Sequence, residues 1–117
     1  MRLPLIAALL FLVPHDVKGD VVMTASWYGA RFEGKQMASG KPFRMHDAST
    51  VAHKTLPFGC ILELENPKNN RVLISVVRDR GPYAKGRALD LSYAAAETLG
   101  FTEKGVTQLR VHIVHCP

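Results

Sequence analysis

The sequence predicts a small all-β domain, a closed barrel that carries one short helix. Three observations lead there. Apolar residues recur at every second position in several separate stretches, each of strand length. Turn-forming residues divide these stretches, and one segment alone has helix signals at both ends. At 117 residues, 47% hydrophobic and 21% charged, the chain has room for one core and no more. Its 8% aromatic content argues against disorder.

The N-terminal segment is set apart from the barrel. Arg2 precedes an apolar run from Leu3 to Val13, broken only by Pro4, and a polar stretch from Pro14 to Gly19 follows. A basic start, an apolar run of about eleven residues and small residues at Val17 and Gly19 describe a secretory signal peptide over residues 1–19. The other reading of the run is a buried terminal strand or helix. It is short for a bilayer span, and no Cys follows it to carry a lipid. The expectation is an exported soluble protein, periplasmic or extracellular, with no stable membrane anchor and a domain over residues 20–117.

Met23 to Tyr28 is the first strand. Ile61, Leu62 and Leu64 alternate with Glu63 and Glu65, and Val72, Ile74 and Val76 alternate with Leu73, Ser75 and Val77. The second of these is expected to be covered on both faces. Between them, Asn66-Pro67-Lys68-Asn69-Asn70 is a turn, so the pair forms a hairpin. Ser92 is the N-cap of a helix over Tyr93–Leu99 that Gly100 stops. Leu109, Val111 and Ile113, alternating with Arg110 and His112, form the last strand.

Residues 1–19 contain Arg2, Lys18 and Asp16, so their removal leaves 98 residues with a net charge of +4, against +5 for the whole chain. In an exported protein Cys60 and Cys116 are expected to pair, closing a loop worth roughly 3–4 kcal/mol. Two buried free thiols are the alternative. The charge is spread along the chain and favours acidic partners in general. It is not interleaved with aromatics as in binders of single-stranded nucleic acid. No phosphate-cradling Gly-rich loop and no Gly-x-Ser-x-Gly elbow occurs, so no nucleotide is expected. His112 and His115 fall on opposite faces of a strand, so no metal or cofactor is expected either.

Five blocks carry a resemblance: Ala25-Ser26-Trp27-Tyr28-Gly29; Ala38-Ser39-Gly40 with Pro42-Phe43; Val51 to Gly59 around His53; Arg78-Asp79-Arg80-Gly81-Pro82-Tyr83; and Gly86 to Ser92 followed by Ala94-Ala95-Ala96. In this order, over about residues 23–115, they resemble the double-psi β-barrel domain of the rare lipoprotein A family. The resemblance implies a six-stranded double-psi barrel with one or two short helices. It also implies a monomeric, cofactor-free lytic transglycosylase that cuts peptidoglycan glycan strands, preferring those without stem peptides, and leaves 1,6-anhydro-muramic acid ends.

Such a reaction needs one well-placed acid, because the sugar's own C6 hydroxyl attacks and no water need be activated. Asp79, at a strand end before the Gly81-Pro82 turn, is the candidate for that acid/base. Its flanking arginines favour the charged form, which opposes the role unless burial offsets them. The alternative is an Asp that pairs with arginine and caps a turn. The resemblance assigns a share in catalysis to His53, which could otherwise be structural. Asp90 is expected to orient Arg87 or the helix-start amides, with a share in catalysis as the alternative. Trp27 and Tyr28 resemble a sugar-stacking pair, although alternation sends one of them to the core. Lys41, Arg78, Arg80 and Arg87 are expected to rim a glycan groove.

Lys41 departs from the family, which has Glu after the Ala-Ser-Gly turn. Three outcomes remain open: Asp79 suffices, Glu33 substitutes, or catalysis is lost and an expansin-like wall-binding barrel remains. A two-carboxylate hydrolase is a further alternative.

Overall fold

A computed structural model describes residues 20–117; the expected signal segment lies outside the described residues. The order of elements is β1 (Asp20–Tyr28), a single 3-10 turn (Ala30–Phe32), β2 (Thr50–His53), β3 (Ile61–Asn66), β4 (Arg71–Asp79), β5 (Leu89–Ser92), α1 (Tyr93–Leu99) and β6 (Val106–His115). The six strands close into a barrel in the order β1-β5-β2-β4-β3-β6, with β6 pairing back onto β1. β1 runs parallel to β5 and β2 parallel to β4; the remaining pairs are antiparallel.

Inward-facing residues of every strand fill the barrel. Ala25, Val51, Leu62, Leu64, Val77, Leu89, Leu91, Leu109 and Val111 are fully buried in one cluster. Helix α1 adds Ala95, Ala96 and Leu99 to that cluster and so closes one end of the barrel. Its caps are those expected: Ser92 Oγ accepts from the Ala95 N–H at 3.1 Å, and Gly100 takes φ +81°. A Cβ on Gly100 would lie 2.7 Å from Asn69 Nδ2, so both backbone and space demand glycine. Asn66 and Asn69, in the hairpin turn, donate to the Leu99 carbonyl at 2.8 and 3.0 Å, tying the helix end to the β3–β4 hairpin.

The hairpin pairs Ile61 with Val76 through to Asn66 with Arg71. Its second strand is not covered on both faces as expected. Ser75 and Val77 point inward, but Val72 and Ile74 are 47% and 51% exposed beside Glu65 and Glu63. The buried residues of α1 join the barrel core instead, and none of the described residues covers Val72 and Ile74. A disulfide joins Cys60 to Cys116, linking the residue before β3 to the residue after β6. Among the described residues no helix is long and apolar enough to cross a membrane.

Candidate active site

Register places four residues in one transverse row across the barrel wall. Ser26 of β1 pairs with Asp90 of β5, Asp90 with Ala52 of β2, and Ala52 with Asp79 of β4. Neighbouring strands lie about 4.8 Å apart, so the two aspartates stand roughly 10 Å apart at their Cα atoms. Only the methyl of Ala52 lies between them. All four residues line an open cleft of about 660 Å³. The cleft has a further wall from the turn after β1 (Arg31, Phe32) and another from the loop after β4 (Arg80, Pro82, Tyr83).

Asp79 is held by three donors. Its Oδ1 accepts from the backbone N–H of Ala38 at 2.9 Å and of Arg80 at 2.8 Å, and its Oδ2 accepts from Tyr28 Oη at 3.1 Å. The Ala38 contact attaches the Ala38-Ser39-Gly40 turn to the end of β4, which Ser39 N–H reinforces by donating to the Arg78 carbonyl. The Gly81–Pro82 peptide that follows is cis. Burial, and then the nearby Asp79 charge, push the Tyr28 hydroxyl well above its usual range, so it remains a proton-bearing donor.

Asp90 sits differently. It accepts from Ser26 Oγ at 3.0 Å, and burial pushes its carboxyl up to about 6, with the Asp79 charge adding to the rise and Ser26 and Arg87 opposing it. It does not contact the helix-start amides as expected, since Ser92 fills that role. Two carboxyl groups thus share one cleft, and the environment of one of them raises it above the usual carboxylate range.

The arginines beside Asp79 turn away from it. Arg78 Nη1 donates to Ser49 Oγ and Thr50 Oγ1 at 2.8 and 2.9 Å and lies 4.0 Å from Asp47. Arg80 Nη1 donates to the His53 and Leu56 carbonyls, and its guanidinium stacks over Phe58 at 4.0 Å. Among the described residues no ion pair reaches Asp79 or Asp90 within 4 Å. Of the expected groove cations, Arg80 and Arg87 line the cleft, whereas Arg78 and the exposed Lys41 do not.

His53 is also away from the cleft lining. Its Nδ1 accepts from the Thr55 and Leu56 N–H groups at 3.1 and 3.0 Å, which leaves the ring proton on Nε2. Burial, followed by the charges of Arg80 and Lys54, lowers its pKa, so the neutral ring serves as the cap of the 53–56 turn. Glu33 donates nothing to the cleft. The Met45 N–H at 2.8 Å and Arg44 at 3.3 Å hold its carboxyl below the usual range, clasping residues 33 and 45 together.

Trp27 and Tyr28 both border the cleft, with separate functions for their rings. Trp27 packs against the core beside Tyr93, and its indole N–H donates to the Thr102 carbonyl at 3.2 Å. Tyr28 stacks on Phe43, with centroids 4.3 Å apart, and aims its hydroxyl at Asp79. The open aromatic face belongs instead to Tyr83, 79% exposed, whereas Phe32 at the other cleft wall packs against Tyr28 with Arg31 and Lys35 over its ring. The structure thus gives the site Ser26, which motif reading passed over, and Asp90, expected chiefly to serve Arg87 or the helix start, along with Phe32 and Tyr83, also passed over. Alternation could have found the first two: in Ala25-Ser26-Trp27-Tyr28 and Leu89-Asp90-Leu91, the polar members face opposite to the core.

The fold is shared with solved structures. Streptomyces papain inhibitor superposes with TM-score 0.67 at 23% identity, covering 86% of this chain and 98% of that one. The Clavibacter michiganensis expansin superposes with TM-score 0.64 at 21% identity, covering 84% of this chain and 52% of that one. These likenesses establish a double-psi β-barrel. Sequence relatives are closer. A probable endolytic peptidoglycan transglycosylase RlpA of Aquifex aeolicus is 50% identical over 92 residues, 79% of this chain and 40% of that protein. The endolytic peptidoglycan transglycosylase RlpA of Rickettsia felis is 44% identical over 102 residues, 84% of this chain and 44% of that protein. The chain thus spans about two fifths of the length of these curated relatives. The profile described as lytic transglycolase matches residues 20–111, which takes in all four residues of the transverse row, and on that match the chain belongs to the lytic transglycolase family.

Proposed function

We propose that this chain cuts the glycan strands of peptidoglycan by lytic transglycosylation, within the cell envelope, leaving 1,6-anhydro-muramic acid ends. The observation that carries the reading is the open cleft with Asp79 fixed at its floor by Tyr28, Ala38 and Arg80. The relatives named endolytic peptidoglycan transglycosylases support it. A carboxylate immobilised by three donors has its oxygens positioned before substrate arrives, which is the preorganisation a proton transfer from the C6 hydroxyl needs. His53 assists from behind: its carbonyl and the turn its ring caps hold Arg80, whose N–H fixes Asp79.

The cleft also suits its substrate. Tyr83 offers a flat apolar face for a sugar ring, and Arg31, Arg80 and Arg87 give the lining a positive field. Strands without stem peptides expose a lactyl carboxylate on each muramic acid, which that field attracts. Lys41, exposed and outside the lining, leaves this set intact.

A second reading rests on the two carboxyls of the row. Their separation across one strand also fits a hydrolase in which one carboxylate activates a water, a geometry requiring roughly 6.5–9.5 Å between the groups. Digestion of purified peptidoglycan, with and without stem peptides, followed by mass spectrometry separates the possibilities. Anhydro ends that vanish in Asp79→Asn support lytic cleavage. Reducing ends carrying an oxygen atom from labelled water would make the chain a hydrolase. Uncut strands that retain the protein would make it a wall-binding barrel.

A further inference from the structure

We propose that Asp90 is a second catalytic residue, the one that delivers a proton to the glycosidic oxygen, with Ser26 as its positioning residue. The inference rests on the glycan-cleaving reading above and divides between two carboxyls the proton transfers that one Asp would otherwise perform alone. Three geometric facts carry it. Asp90 occupies the same transverse row as Asp79, across Ala52, so both side chains open onto one cleft. Ala52 presents only a methyl, so a sugar ring can settle between the two carboxyls. Among the described residues Asp90 has a single side-chain hydrogen-bond partner, the Ser26 hydroxyl, bonded to Oδ1, which leaves Oδ2 as the oxygen to carry and release the proton.

The contrast with Asp79 sets the direction of transfer. Asp79 accepts two backbone N–H groups and a phenol, so both its oxygens are already engaged as hydrogen-bond acceptors. Asp90 accepts one hydroxyl in a part-buried position where the charged form is disfavoured, which is consistent with its titration near 6. The charged and titratable groups around it are few. β1 presents Tyr28, which stays protonated; β4 and the loop after it present Asp79 and Arg80; the approach to β5 presents Arg87; β2 presents Ala52, with the His53 ring engaged by its own turn. The guanidinium of Arg80 is engaged by carbonyls and Phe58, and among the described residues no arginine pairs with Asp90 within 4 Å.

The step balances without water. The Asp90 carboxylic proton passes to the glycosidic oxygen as the bond from C1 to that oxygen breaks, the electron pair leaving with the oxygen. The C6 hydroxyl oxygen of the same sugar bonds to C1, and its proton passes to the Asp79 carboxylate. Asp90 ends ionised and Asp79 protonated, and exchange with solvent resets both.

The test measures kcat/KM against pH on purified glycan strands for the wild-type protein, Ser26→Ala and Asp90→Asn, alongside carbon-13 titration of the Asp90 carboxyl. The expected wild-type profile falls on its alkaline side above about 6. Ser26→Ala removes a hydrogen bond that favours the ionised form, so this limb moves to higher pH by roughly 0.5–1 unit. Asp90→Asn lowers kcat roughly 10²–10⁴-fold while retaining strand binding and a cooperative melt. The carboxyl titration reads the same group without any activity. An Asp90 carboxyl titrating in the ordinary range near 4, an alkaline limb unmoved in Ser26→Ala, or an Asp90→Asn protein with more than about a tenth of wild-type kcat would each overturn the assignment. If the wild-type protein itself releases no product, the glycan-cleaving reading falls and takes this assignment with it, whereas cutting by the wild type and by Asp90→Asn alike overturns the assignment alone.

Discussion

Replacing Asp90 by Asn is expected to stabilise the fold at neutral and alkaline pH and to leave it unchanged in acid. The reason is linkage. Burial raises the Asp90 carboxyl from 3.8 to about 6 in the folded chain. Between those two values the folded state holds a proton that the unfolded state has released, so stability falls as pH rises through the window. At about 1.4 kcal/mol per pH unit the full displacement corresponds to roughly 3 kcal/mol. Asp90 lies in an open cleft, and solvent screening reduces this to ~1–2 kcal/mol. Asn keeps the shape and an oxygen for the Ser26 hydroxyl, so the substitution removes the ionisation and little else. For a domain of this size such a gain raises the melting temperature by roughly 5–10 °C at pH 8. The assay is thermal melting of both proteins at pH 4, 6 and 8. Equal differences at pH 4 and pH 8, or a variant less stable at pH 8, would refute the reasoning. A variant that gains stability while losing kcat would show the trade expected where a carboxyl is held for its chemistry at the expense of the fold.

Three further outcomes follow from contacts elsewhere. Tyr28→Phe keeps the stack on Phe43 but removes the donor to Asp79 Oδ2, so kcat is expected to fall roughly 10-fold with KM little changed, read by steady-state release of anhydro products. Reduction of Cys60–Cys116, or replacement of both by Ser, frees a crosslink spanning 56 residues and is expected to lower stability by roughly 3–4 kcal/mol in urea unfolding. Lys41→Glu, at an exposed position outside the cleft lining, is expected to change kcat/KM by less than about threefold at physiological salt. A gain of ten-fold or more would bring a third carboxylate into the mechanism.

Much of the barrel could be read from alternation, because β1, β3, β4 and β6 each present a run with one face to the core. The hairpin turn and both caps of α1 were equally legible, since Asn66 to Asn70, Ser92 and Gly100 have side chains or backbone freedom that local geometry requires. β2 and β5 were not. Each has four residues, too few for a period of two to register, and Leu89-Asp90-Leu91-Ser92 reads as the approach to the helix that follows. Those two strands are the ones that build the site, because β2 supplies Ala52 and β5 supplies Asp90. Motif reading picked out Asp79 and Asp90 separately but could not place them in one row, since that row is made by pairings between residues 27 to 64 positions apart in sequence.

A break in that periodicity resolves the arginines beside Asp79. The triplet Arg78-Asp79-Arg80 suggests, from composition, a carboxylate neutralised by its neighbours. Strict alternation would return Asp79 to the core-facing side of Val77, but a register shift against β2 skips Arg78 and brings Asp79 level with Ala52 on the cleft side. Arg78 accordingly reaches Ser49, Thr50 and Asp47, and Arg80 reaches the carbonyls of the 53–56 turn, while Asp79 faces the cleft. Had either guanidinium turned inward, it would have stood between the two carboxyls and paired with them. An ion-paired Asp90 would give up its proton well below neutrality. The arginines thus serve the site by where they are anchored: one secures the strand ahead of β2, the other the turn after it. The cleft keeps arginines in its lining and, among the described residues, two carboxyls without an ion pair at its floor, an arrangement that suits the proposed anionic glycan and the proposed proton transfers.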